Sequence, residues 1–209
     1  MKVEVIRERR KTMVLTLIDA ENAVLKVPQS LSDKKVSQFL ADKKRWLERK
    51  ASKVKENEEF SKEYQVLKYF YLFGKKVDLF SNLIFGFDEL SEQDKVLAVR
   101  KAYLTHFSNL EKLAKLLSLE TGLGYEKIKP IDSVRVWGSY SSVRIMKLNW
   151  RLLILPENLV RYVICHELCH SKHMNHKPQF WKEVSRYCPE YKKDREELKR
   201  FAFLLKYDI

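Results

Sequence analysis

Four of the chain's five histidines fall within eleven residues, between His166 and His176. His166, Glu167 and His170 spell H-E-x-x-H, a spacing that has chemical meaning on a helix. There, residues four apart share one face with their Cβ atoms about 6 Å apart, so two imidazoles can hold one Zn2+ between them. Glu167, one step round the helix, is then placed to act as general base on a water at the ion. Leu159, Val160, Val163, Ile164 and Leu168 fall on the other flank, as a helix packed against a core requires.

A hydrolytic zinc site takes three protein ligands and keeps one position open, so a third group is needed. His173 shares the face if the helix continues, but at seven residues on it lies about 10 Å along the axis from His166. His176 fits better if the helix stops near Met174 and Asn175 turns the chain back in a left-handed cap. Glu190, on a following helix, and Cys169 are rival ligands. The length of H-E-x-x-H-x5-H is that of metzincins, whose glycine is replaced here by His173.

Further motifs flank this segment: Trp137-Gly-Ser, Leu148-Asn-Trp-Arg-Leu152, Pro156, Tyr162-Val, Met174-Asn-His176, Phe180-Trp181 and Cys188-Pro189. Together with His166-Glu-Leu-Cys-His170 they resemble the YgjP-like metallopeptidase family, relatives of SprT-type minimal zincins. The resemblance is strong over the last third and looser over the rest. It implies His166, His170 and His176 as zinc ligands, one Zn2+ per chain, and Glu167 as the base. The family's Trp-Gly-Ser-Cys-Ser stretch reads Trp137-Gly-Ser-Tyr140-Ser141 here, a departure that touches none of these residues.

Length and composition bound the alternatives. A chain of 209 residues with 45% hydrophobic content suits one large domain, or a domain with an appended module. No apolar run approaches the ~18 residues a membrane span needs, and the first ten residues lack a signal-peptide core, so a cytoplasmic location is expected. Three cysteines, Cys165, Cys169 and Cys188, have no C-x-x-C spacing and imply neither a disulfide framework nor a zinc knuckle. The net charge of +13 favours anionic partners, but the basic residues are dispersed and match no nucleic-acid motif. A solvated basic face is the plainer reading; a weak nucleic-acid or nucleotide-phosphate contact is the other.

Residues 1–90 contain no histidine and read as a β-rich part with one helix, serving as scaffold or facing the substrate. Met13–Ile18 and Ala23–Val27 alternate as the arms of an antiparallel hairpin around Asp19–Asn22, and a helix follows from Ser30 or Ser32 through about Lys55. A second hairpin is expected around Gly74-Lys-Lys76, with Val77–Phe80 as its second arm, then another strand from Asn82 to Leu90. Over residues 91–209, one long amphipathic helix is expected from Ser91 to about Glu120, stopped by Thr121-Gly-Leu-Gly124. Strands are expected at Lys127–Lys129, Val134–Trp137 and Val143–Trp150. In the zincin arrangement that the motif resembles, the last of these borders the cleft, where an extended peptide adds by main-chain hydrogen bonds. The metal helix follows Pro156, another helix opens at Lys177-Pro178, and a final one runs from Tyr191 to about Leu205.

These readings converge on an α+β fold, a zincin-like metallohydrolase domain over 91–209 preceded by the β-rich part over 1–90. The expected activity is zinc-dependent hydrolysis of a peptide or protein substrate. Hydrolysis of a nucleotide phosphoanhydride, and a nucleic-acid or ribosome-binding module with a structural zinc, are the alternatives. Tyr187, Tyr140 and His173 are the candidates for a second oxyanion donor.

Overall fold

The computed structural model describes residues 1–64, 69–77 and 87–206, the side chains of Glu63, Val77 and Asp88 excepted. Strands and helices are mixed, and the chain divides into two compact units, Met1–Tyr64 and Gln65–Ile209. Among the described residues, no helix is long and apolar enough to cross a membrane.

The first unit is a three-stranded sheet with one helix. Strands β2 (Val14–Leu17) and β3 (Asn22–Pro28) pair antiparallel as the alternation requires, Val14 opposite Lys26 and Leu17 opposite Ala23. The Asp19 carboxylate accepts the amides of Glu21 and Asn22, both at 2.8 Å, and closes the turn. Strand β1 (Lys2–Glu8) adds parallel to the other side of β3, which is thereby central. Ala23, Leu25 and Val27 alternate inward along β3, and the last two pack with Val36 of helix α1 (Asp33–Glu63). That helix runs eight residues past the expected Lys55, because Glu56–Glu63 holds good helix formers and neither glycine nor proline.

The second unit begins with the hairpin of β4 (Phe70–Leu72) and β5 (Lys75–Val77). Its turn is Phe73-Gly74, both at positive φ (51° and 75°), so the second arm starts at Lys75, two residues earlier than expected. The hairpin tip docks on the segment before the histidine helix: Phe73 N–H donates to the Leu153 carbonyl at 2.7 Å. A Cβ on Gly74 would lie 2.9 Å from the Pro156 Cα, so the glycine is required by contact as well as by φ. Residues 78–86, and with them most of the expected Asn82–Leu90 strand, lie outside the described residues; Phe87–Glu89 is a short 3-10 helix, not a strand.

The long helix expected to about Glu120 is two helices, α2 (Glu92–Thr105) and α3 (Ser108–Thr121). The Ala102 carbonyl, which would accept the His106 amide in a continuous helix, is taken by the Thr105 hydroxyl at 2.7 Å and meets His106 Nδ1 at 2.9 Å. The His106 amide turns instead to Tyr103 O, and the helix changes direction there.

Strands β6 (Lys127–Ile131), β7 (Gly138–Tyr140) and β8 (Ile145–Asn149) form a sheet in the order β6-β8-β7, with β6 parallel and β7 antiparallel to β8. The expected strand at Val134–Trp137 is an irregular loop. Ser133 Oγ accepts the amides of Arg135 and Val136, and the buried Asn149 donates to the carbonyls of Ser133 (2.8 Å) and Val136 (3.0 Å), so side chains take up the groups a ladder would use. Asp132, at the loop's start, is held between Arg100 and the buried Arg151.

A 3-10 helix, Trp150–Ile154, leads into α4 (Glu157–Cys169). Leu159, Val160, Ile164 and Leu168 of α4 are wholly buried, as are Trp150 and Leu152–Leu155, which makes α4 the centre of this unit. Helix α5 (Pro178–Tyr187) follows. The final helix breaks at the buried Phe201 into α6 (Tyr191–Arg200) and α7 (Ala202–Lys206).

Candidate metal centre

Helix α4 presents His166 and His170 on one face and ends there, with His170 as its C-cap. The helix does not continue to Met174, and Asn175 does not adopt the expected left-handed conformation; its side chain accepts the Lys177 amide at 3.2 Å and sets up the entry to α5. This turn brings His176 back to the helix. One nitrogen from each of His166, His170 and His176 falls within 4.8 Å of the others, and the Nε2 atoms of His166 and His176 are 3.0 Å apart.

Aromatic side chains from α5 frame the cluster. The Phe180 ring stacks on His170 with centroids 4.6 Å apart and meets His166 edge-on at 4.8 Å, while Trp181 stacks on His176 at 5.6 Å. Tyr191 in turn stacks on Trp181. The Phe180-Trp181 pair therefore packs against the rings of all three histidines.

The donor chemistry fits a divalent ion. His170 Nδ1 meets the His173 carbonyl at 2.8 Å, which places its proton on that nitrogen and leaves Nε2 free to bind. Burial, then the neighbouring His170 and His176, push His166 down to about 3, so its imidazole is neutral, the form that coordinates metal. Its Nδ1 is buried with no hydrogen-bond partner among the described residues. Tetrahedral zinc, with nitrogens about 2.0–2.1 Å from the ion, sets ligand atoms about 3.3 Å from one another, close to the spacing found between His166 and His176.

Glu167 points into the same cleft from a buried position, and burial pushes its carboxyl up to about 8. Its oxygens make no hydrogen bond among the described residues. A cation beside it acts in the opposite direction and favours the carboxylate.

The other candidates fall elsewhere. His173 contributes its carbonyl to His170, and Cys169 and Glu190 are not members of the cluster; Glu190 caps α6. Tyr140 spends its hydroxyl on the Gly124 carbonyl (2.8 Å), and Tyr187 on Thr121 O and Glu183. Tyr162 carried no role in the sequence beyond its place in a motif. It lines the cleft one turn before His166, is 4% exposed, and its hydroxyl has no partner among the described residues. Its position four residues before His166 is the signal that places it on the histidine face.

The cleft holds about 460 Å3 and is walled mainly by apolar groups, among them Val136, Trp137, Val163, Met174 and Leu198. Its far side is β7. Gly138 lies opposite Leu148 and Tyr140 opposite Met146, while Trp137 O accepts from Asn149 N–H and Ser141 N–H donates to Ile145 O. The alternation of an antiparallel pair therefore turns the amide and carbonyl groups of Gly138 and Tyr140 away from β8, toward the open edge. The expected peptide-facing strand, 143–150, is β8, whose two edges are both occupied; β7 is the edge strand at the cleft.

Two crystal structures of metallopeptidase zymogens are similar in part. Abylysin of Pyrococcus abyssi is 25% identical over 43% of this chain and 90% of its own, with a TM-score of 0.37. Jannalysin of Methanocaldococcus jannaschii is 25% identical over 46% and 96%, with a TM-score of 0.38. No curated protein matches the chain. A family model described as the YgjP-like metallopeptidase domain matches residues 11–201, a span that takes in the three histidines, Glu167, β7 and most of the first unit alike; the chain belongs to the YgjP-like metallopeptidase family.

Proposed function

We propose that the protein is a zinc-dependent peptidase of zincin type, with His166, His170 and His176 holding one Zn2+ and Glu167 acting as general base. The catalytic domain on this reading is 91–209, following residues 1–90. The observation that carries the peptide substrate is the β7 edge: main-chain donors and acceptors on Gly138 and Tyr140, turned away from β8, face an apolar cleft that also holds the histidines and Glu167. An extended peptide pairs with such an edge and sets its side chains alternately against the cleft walls.

When bound, zinc supplies Lewis acidity that lowers the pKa of water and polarises a carbonyl. The chain's own part is positional and basic. His170 is held in one tautomer by the His173 carbonyl, and Phe180 and Trp181 hold the ring planes. Glu167 removes a proton from the attacking water and, from the same carboxyl, can return it to the leaving amine. The apolar walls exclude bulk water around that transfer.

A phosphate-bearing substrate draws no support from the cleft, since no lysine or arginine is among the described residues that line it. The test incubates the zinc-loaded protein with an unfolded casein and, separately, with the common nucleoside triphosphates. Casein cleavage that is abolished by a chelator and reduced ~10² to 10⁴-fold in Glu167→Gln is the expected result. Phosphate or pyrophosphate release without proteolysis overturns it.

A further inference from the structure

Gly138 has no positive φ to explain it, since among the described glycines only Gly74 and Gly122 do. A glycine inside a strand weakens it, and its usual reason is the close approach of another group. Here that group is Glu167. A Cβ built on Gly138 would lie 2.9 Å from both Cγ and Oε1 of Glu167 and 3.1 Å from Cδ. Oε1 is a free end that can swing away, but Cγ is one bond from the helix-bound Cβ and moves only with a change of rotamer.

Both backbones are anchored. Helix α4 is packed through Ile164 and Leu168, both wholly buried. On the other side β7 is tied to β8 by the Asn149 N–H to Trp137 O bond at 2.8 Å, one residue before the glycine. The bare backbone at 138 is thus a wall against which the carboxylate rests.

We propose that Gly138 is the positioning residue for Glu167: its missing side chain keeps open the slot between β7 and α4 through which the carboxylate reaches the cleft. This rests on the reading of Glu167 as the base, and it assigns the glycine of the Trp137-Gly-Ser motif a role in the reaction through Glu167. The same residue offers its outward amide and carbonyl to the substrate strand, so the strand that pairs the peptide also sets the base beside it.

The test is a double-mutant comparison with two readouts. Gly138→Ala is made in the native chain and in the Glu167→Ala background, and the metal-free proteins are melted. The alanine is expected to lower Tm by about 3–6 °C in the native chain and to be neutral or stabilising beside Ala at 167, where the clash is gone. If Gly138→Ala alone fails to fold, the double variant is expected to fold. An equal loss of Tm in both backgrounds, or failure of both to fold, overturns the proposal.

On casein, the zinc-loaded Gly138→Ala protein should keep its zinc content and its KM within about twofold, while kcat falls by about 10²-fold, as a displacement of about 1 Å at a reacting group produces. Full kcat in that variant also overturns the proposal. Should the unaltered protein cleave nothing, the peptidase reading fails by itself and the melting comparison alone decides whether Gly138 holds Glu167 in place.

Discussion

The segment from His166 to His176 and the segment from Asp132 to Tyr140 line one cleft but are held by different means. In the first, the fixing contacts are close in sequence: His170 to the His173 carbonyl, His166 to His176, and Asn175 to the Lys177 amide. In the second they come from far away: Asn149 reaches back to Ser133 and Val136, and Arg151 and Arg100 hold Asp132. A site assembled from short-range contacts carries its geometry in residue spacing. A site assembled from long-range ones carries it in register, which spacing does not contain.

The largest effect expected lies on the short-range side. His176→Ala removes one nitrogen of the three, and zinc affinity measured by chelator competition should fall by more than ~100-fold, beyond the cost of losing a supporting hydrogen bond. His173→Ala is its control. It deletes a ring that is outside the cluster but keeps the carbonyl that orients His170, so zinc binding should hold within a few-fold. Equal zinc affinity in the two variants would remove His176 from the metal centre.

The same contrast explains what was legible. H-E-x-x-H named two cluster members and Glu167 by helical spacing alone, and the preference for His176 over His173 followed from the axial rise of a helix. The turn that delivers His176 was misread at Asn175: an Asn near a helix end serves either as a left-handed cap or as a side-chain acceptor, and sequence does not separate the two. Val134–Trp137 looked like a strand because valine and tryptophan suit one, yet the buried Asn149 takes up the carbonyls of Ser133 and Val136. The edge position of β7 depends on β8 pairing with β6 on its far side, a long-range fact. The break between α2 and α3 was hidden for a local reason, since Thr105 and His106 compete for a single carbonyl while the apolar pattern runs on unbroken.

On the long-range side, Asn149→Ala should cost about 2–3 kcal/mol of unfolding free energy, because it strands the Ser133 and Val136 carbonyls and the Arg151 amide that now donates to Asn149 Oδ1. Asn149→Asp should be at least as damaging: it keeps the acceptor for Arg151 but turns a carboxylate oxygen toward two carbonyls. Denaturant melts measure both, and zinc affinity should change little in either. A large loss of zinc binding would mean that the two walls are not separable.

The smallest effect, and the one that most sharpens the contrast, belongs to Ser133→Ala. Ser133 Oγ is a local contact inside the long-range segment, accepting the amides of Arg135 and Val136 at 3.2 and 3.3 Å. Both bonds are long and lie where water can replace them, so the loss should be about 0.5 kcal/mol, at the low end for a hydrogen bond. In a unit of this size that is a shift of about 1–2 °C in Tm. If the loop owes its shape to Asn149, Ser133→Ala leaves it standing, and casein cleavage keeps its kcat and KM. A cost approaching that of Asn149→Ala would mean instead that the turn at Ser133 organises the approach to β7 and that Asn149 only follows it. The loop would then be encoded as locally as the histidine segment, and its failure to read as a loop would reflect an overlooked serine turn, not missing register.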